Sequence, residues 1–407
     1  MPPNYPNFRK NVPWLIIFLE AAFIVLFYFL PSGDCMAEFS SSSYPAFQDV
    51  SHMVIFGFGF FLTFLKRYEF SSTGFNLLII VLGVQCSVLI EDSLVLLFGG
   101  QVKLCLRSII KATVSMTAVV ISTGAVLGKT NPVQLILMTF VEIIAFRMSR
   151  WINTTVLQIS ENISMMHVHL FGAYFGLMFS SRFPEPSPRS EKNASTPKSD
   201  LLSILGTLFL WIFWPSFNSV LADDKNKVIY NTYFALAVSA VTAFVWSVLT
   251  TKDGKFRMTH IRSAVLAGGV TVGFAAHSIE HPWIAMILGL LASVITVLGS
   301  YCLQRCLNPA LKLHDTSGVH FTFGLPGVLG GLAQVILSVI ETKSDLLRLG
   351  DLLMTDIGAL CLTISIAVIT GFITGLILNL KLFKTPPVSK YFDDQFYWEF
   401  PHSAVGF

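Results

Sequence analysis

Polar residues along this chain gather into short clusters, and between the clusters run apolar stretches long enough to cross a bilayer, which takes about 20 mostly apolar residues. Twelve such runs are legible: 13–30, 50–65, 74–97, 104–128, 132–149, 162–181, 201–221, 229–250, 259–278, 283–304, 320–340 and 354–380. In lipid every backbone N–H and C=O must be satisfied inside the structure, so these runs are predicted to be helices. The ten-residue alternation of a transmembrane β-barrel is absent. The prediction is an all-α, polytopic membrane protein with about twelve transmembrane helices, the whole of 1–407 forming one membrane domain. The first run, PWLIIFLEAAFIVLFYFL, is followed by no small-residue cleavage site and reads as a retained span.

Composition agrees. Only 13% of residues are charged, about half the share in soluble proteins. The net charge of +3 and the lack of a basic, aromatic-interleaved patch argue against a nucleic-acid partner. Six cysteines without a spacing pattern make no disulfide or zinc framework. No P-loop, HExxH or GxSxG is present, so neither an enzyme nor a cofactor is expected.

Lys and Arg set the orientation. With the N-terminus inside, seventeen of them fall on the cytoplasmic side and eight outside, which predicts both termini and the tail, 382–407, to be cytoplasmic. The hydrophilic segment RFPEPSPRSEKNASTPKSD, 182–200, becomes a cytoplasmic loop dividing the chain into two pseudo-symmetric halves of six spans. LFGAYFGL in the sixth span and TFGLPGVLG in the eleventh are a weak internal similarity of the kind repeat-built transporters show.

Ionisable groups at membrane depth are costly and need a reason. Glu20 and Glu142 read first as helix-packing hydrogen-bond partners, and Lys111 as a group that reaches the interface or pairs with an acid. His167 and His169 are two residues apart, about 200° on a helix, so they cannot both line one path. His169 begins a face of small residues, Gly172, Ala173 and Gly176, that permits close helix approach. Periodicity alone favours a histidine hydrogen-bonded to a neighbouring helix over a pore-lining one. His277, Glu280 and His281 in HSIEH read as an interfacial loop rather than a metal site. Asn153, Asn162 and Asn193 lie in sequons, each poorly placed for a glycan. Cys302 and Cys306, beside Arg305 at a cytoplasmic helix end, are candidates for palmitoylation.

FGAYFGL at 171–177, LFLWIFWPSFNS at 208–219, NTYFALAV at 231–238, AVLAGGVTVG at 264–273, LHDTSGVHFTFGLPGVLGG at 313–331 and the tail KYFDDQFYWEFPHSAVGF together resemble the Rh branch of the ammonium transporter family, over nearly the whole chain. The tail is most similar to the Rh blood-group polypeptides of red cells. The resemblance implies an ammonium transporter-like fold, a trimer in the red-cell plasma membrane and a narrow pore in each subunit that carries neutral ammonia past two buried histidines. It also implies assembly with the Rh-associated glycoprotein, with ankyrin of the membrane skeleton as a further partner and ammonia, ammonium or carbon dioxide as the permeant.

Carried over residue by residue, the first pore histidine falls on His169. The second, directly before the glycine of a Gly-Leu-Pro-Gly turn, falls on Phe323, with His320 one turn earlier. The two aromatic gate positions fall on Phe217 and on Val114, and an acidic position at the pore mouth, Asp in conducting members, is Glu161. The resemblance therefore implies a subunit of an oligomeric complex whose own ammonia pore is impaired. The rival implication is a channel for ammonia or carbon dioxide that still conducts.

Overall fold

The fold is set by where each apolar run can start. Before one run, Asn131 and Gln134 cap each other's backbone N–H groups, and Pro132 follows at the first helical position. Thr196 and Ser199 do the same ahead of Pro197. The computed structural model describes residues 8–29, 43–97, 106–186, 192–311, 313–341 and 346–399, and among these there is no strand. The helices are α1 (Phe8–Phe29), α2 (Ser43–Ser51), α3 (Phe58–Phe61), α4 (Glu69–Leu97), α5 (Leu106–Ala125), α6 (Pro132–Thr155) and α7 (Glu161–Met166). They continue as α8 (Val168–Ser180), α9 (Pro197–Ser219), α10 (Lys225–Thr250), α11 (Met258–Ala275), α12 (Pro282–Leu311), α13 (Leu325–Glu341) and α14 (Leu346–Leu378). Wide π-helical turns at His52–Gly57 and His320–Gly324 lead into α3 and α13.

Ten segments among the described residues are long and apolar enough to cross a membrane. The other two expected spans are also helical, one broken into short pieces and the other less apolar. The 50–65 run is the α2–π-turn–α3 succession, and the 259–278 run is α11, in which nearly every residue is buried. A helix sheathed by protein rather than lipid has no need of an apolar exterior, so α11 can carry His260, Arg262 and Thr271.

α8 is central. A Cβ on Gly172 would stand 2.4 Å from the Ala118 carbonyl oxygen, and one on Gly176 would stand 2.6 Å from Ser122 Cα. The small face beginning at His169 is thus the seam between α8 and α5. Across it, the Ser122 hydroxyl lies 2.6 Å from Glu142 Oε1 and 2.8 Å from the Gly172 carbonyl oxygen. Ser122 therefore ties α5 to α8 and, through Glu142, to α6. Gln85 on α4 donates to Glu20 on α1 at 3.2 Å. Both acids serve helix packing. The two weakly similar stretches face each other: built Cβ atoms on Gly324 and Gly327 fall 3.4 Å from Ala173 and Leu170 respectively.

At one end of the bundle the connections are laced together by the chain's tail segment. Asp394 accepts hydrogen bonds from the Phe70 and Ser71 amides at 2.8 Å, capping the start of α4 from 324 and 323 residues away. Trp398 Nε1 donates to Ser71 Oγ at 2.9 Å, and the Phe392 amide donates to the Gly128 carbonyl. The described parts of the 182–200 loop join the same end: the Lys66 amide donates to Ala194 O, and Lys192 pairs with Asp393 at 2.9 Å. Cys302, Cys306 and residues 400–407 lie outside the residues whose side chains are described.

Candidate functional site

The chain breaks helical regularity at His167, where α7 ends and α8 begins. On either side of this junction the two histidines of MHVHL face different walls. His167 forms a 2.8 Å hydrogen bond with Thr363 Oγ1 on α14, and its ring lies 5.2 Å from that of Phe274. It is a packing residue. Asn153, fully buried, donates to the same Thr363 oxygen, which leaves no room for a glycan there.

His169 enters an aromatic cage. Trp214 stacks on it at 5.5 Å, Phe217 meets it edge-on at 5.6 Å, and Phe323 lies parallel on it at 6.4 Å with 9° between the planes. All four side chains are fully buried or within 1% of it. Phe58 and Phe61, at 5.9 and 6.2 Å, back the Phe323 ring on its other contacts. His169 Nδ1 is 3.4 Å from the Met166 carbonyl oxygen. Its Nε2 and the Trp214 Nε1 have no hydrogen-bond partner among the described residues. Leaving a buried polar group unpaired costs roughly 1–3 kcal/mol, so this arrangement is not one that packing alone would select.

Local structure explains how Phe323 reaches the cage. The Asp315 carboxylate accepts from the amides of Gly318, Val319 and His320 at 2.9–3.0 Å. That fixes the entry to the π-turn, and Thr271 Oγ1 holds Pro326 O at 2.9 Å beyond it. The turn aims Phe323 inward while His320 faces Tyr174 at 5.8 Å. Hence the structure joins His169, Phe217 and Phe323 in ring contact. Val114 is fully buried on α5 in the same core, without a ring of its own to contribute.

Glu161 sits at the bundle end opposite the tail. Lys111 pairs with it at 2.7 Å, Arg150 at 3.4 Å and Arg107 at 3.8 Å. The intramembrane lysine therefore pairs with an acid, and the acid is the one expected at the mouth. Glu280 of HSIEH pairs instead with Lys227 on α10. Trp214 is the member of the cage that the motif reading omitted. Its signal was present, because Trp214 precedes Phe217 by three residues in WPSF and so shares its helix face.

At the tail end, beneath α8, Lys129 is almost completely buried. Its ammonium donates to Ser180 Oγ at 2.5 Å and to the His314 carbonyl at 2.6 Å. Burial pushes its pKa down to about 7. Burial and the adjacent Lys129 cation push His314 down to about 3.

A bundle of membrane-length helices around a buried histidine in an aromatic-lined core defines a membrane-embedded protein of transporter architecture. The Ammonium Transporter Family profile matches residues 14–390, and the chain belongs to that family. It is 42% identical to the RH-like protein of Macaca mulatta over 419 residues, and 42% identical to the blood group Rh(CE) polypeptide of Homo sapiens over the same length, with full coverage of both chains in each case. The human blood group Rh(D) polypeptide is 41% identical over 417 residues. Among solved structures, Rh50 of Nitrosomonas europaea, described within the Rhesus protein family of channels, superposes with a TM-score of 0.77 at 28% identity, covering 90% of this chain and 94% of that one. Mep2 of Candida albicans shares the fold, with a TM-score of 0.65 at 14% identity. The resemblance to the Rh blood-group polypeptides is thereby upheld.

Proposed function

We propose that this chain is an Rh blood-group type subunit of an oligomeric red-cell membrane complex, and that its own ammonia path is closed at Phe323. The observation that carries the reading is the near-parallel stacking of Phe323 on His169. Where the family resemblance places a second imidazole, a phenyl ring supplies bulk and no hydrogen bond. Dehydrating ammonium is prohibitive in a dry apolar path. Neutral ammonia needs a relay of donors and acceptors, which one histidine alone interrupts. In this reading the chain sits in the plasma membrane with both termini cytoplasmic, and it assembles as a trimer with the Rh-associated glycoprotein. The laced tail end is the face it would offer to ankyrin of the membrane skeleton.

A reconstituted-vesicle pH assay tests the closure. Phe323→His is expected to raise ammonia permeability about tenfold, the equivalent of about 1.4 kcal/mol in the barrier, and adding His169→Ala should remove the gain. Wild type conducting as well as Phe323→His would instead support the second reading, a conducting ammonia or carbon dioxide channel. That reading draws on the unpartnered His169 Nε2 and Trp214 Nε1, a buried donor and acceptor pair that a small permeant could satisfy.

A further inference from the structure

The bundle end opposite the tail gathers six charges from four helices. Arg107 and Lys111 are four apart on α5 and share a face, as do Arg147 and Arg150, three apart on α6. Against these four cations stand two carboxylates, Glu91 on α4 and Glu161 at the start of α7. The network is joined throughout. Glu161 touches Lys111, Arg150 and Arg107, and Glu91 lies 3.7 Å from Arg147 and 4.0 Å from Arg150. Among the described residues the network carries a surplus of two positive charges.

The surplus is not simply a solvated face. Arg150 is 3% exposed, yet its single hydrogen bond to a carboxylate among the described residues is the 3.4 Å contact with Glu161. Among the described residues the buried Nε–H groups of both Arg147 and Arg150 have no acceptor. Glu91 stands beyond hydrogen-bond distance of both guanidinium groups. Two guanidiniums on one helix face, each with an unanswered Nε–H, leave the fork that matches two oxygens of a planar oxyanion. Arg107, 59% exposed, stands at the open side of the cluster, where a ligand would arrive.

We propose that this cluster is a binding site for a small monovalent oxyanion of the size of bicarbonate or formate. An oxyanion between Arg147 and Arg150 would satisfy the buried donors that Glu91 is too distant to reach and would cancel half of the excess charge. The site stands on charge and geometry in α4–α7 and does not depend on whether the path at His169 conducts.

The test uses the full chain in nanodiscs of zwitterionic lipid, with thermal unfolding followed at constant ionic strength while sodium bicarbonate, formate, chloride or gluconate is titrated. Bicarbonate and formate are expected to raise the midpoint saturably, by about 2 °C, and more strongly than chloride or the bulky gluconate. Arg147→Gln should abolish the rise. Arg107→Gln, a change at an exposed position that leaves the fold intact, should weaken it several-fold. A midpoint that follows ionic strength alone, or a bicarbonate response unchanged in both variants, overturns the proposal. So does stabilisation that arises only when phosphatidylserine is added to the disc, which would assign the cluster to a lipid headgroup.

Discussion

The rings of His169 and Phe323 lie 6.4 Å apart and within 9° of parallel, and they come from helices 154 residues apart in the chain. The Asp315 cap and the π-turn hold Phe323 in this position, and Phe58 and Phe61 back it. The stacking is therefore a property of the scaffold rather than of a free rotamer.

Bulk and missing hydrogen bonding can be separated. Phe323→Ala removes the ring without supplying a donor. We expect it to admit water and to raise osmotic permeability in vesicles, with less gain in ammonia permeability than Phe323→His. It should also cost about 3–5 kcal/mol of stability, as large-to-small changes at buried aromatics do. Equal ammonia permeability in the two variants would show that bulk alone closes the path.

Lys129 makes stability depend on pH. Its pKa is held down to about 7 by burial, against 10.5 for an ordinary lysine. Between those values the folded chain has lost a proton that the unfolded chain keeps, so stability rises with pH. Below about pH 7 both states carry the charge, and the folded state bears its burial cost in full. The buried Tyr391, raised to about 12, acts in the opposite sense at high pH, which leaves about pH 7–8.5, below the range in which free thiols and phenols ionise, as the clear window. In detergent, the unfolding midpoint should climb across that window in wild type and stay nearly flat in Lys129→Met.

The Asp394 cap is a long-range anchor. Asp394→Ala leaves the Phe70 and Ser71 amides at the start of α4 without their acceptor, a loss of about 0.5–2 kcal/mol for a cap. Its burial raises the carboxyl pKa above the usual value, so Asp394→Asn, which keeps an acceptor oxygen, should be the milder change. Limited proteolysis of the purified protein should cut the 379–399 segment faster in Asp394→Ala than in wild type. Unchanged cutting would mean that Trp398 and Phe392 suffice to hold it.

The α8–α5 seam tolerates no side chain at Gly172. A Cβ would stand 2.4 Å from a backbone oxygen that cannot yield without moving α5. Gly172→Val should abolish surface expression. Gly358→Ala on α14, where nothing lies within 4 Å of the added carbon, should express normally. Comparable surface levels of the two would contradict the packing described for α8.

Much of this protein is readable without coordinates. Apolar runs separated by polar clusters specify a helical membrane bundle, because lipid accepts no other open backbone arrangement. The two-residue spacing of His167 and His169 sends them to opposite sides, and the glycines after His169 mark a close helix seam. Lys111 needs an acid and has one in Glu161. What tertiary structure alone decides is the identity of partners brought together from far along the chain. Counting apolar runs did not show that α11 is sheathed by protein along nearly its whole length. Local spacing could not reveal that Asp394 caps a helix 324 residues earlier, or that Arg147 and Arg150 meet Arg107 and Lys111 around two carboxylates. Periodicity reports which face of a helix is apolar. The neighbour that face meets is chosen by the packing of the whole bundle, and that choice sets Phe323 against the one imidazole in the core cage.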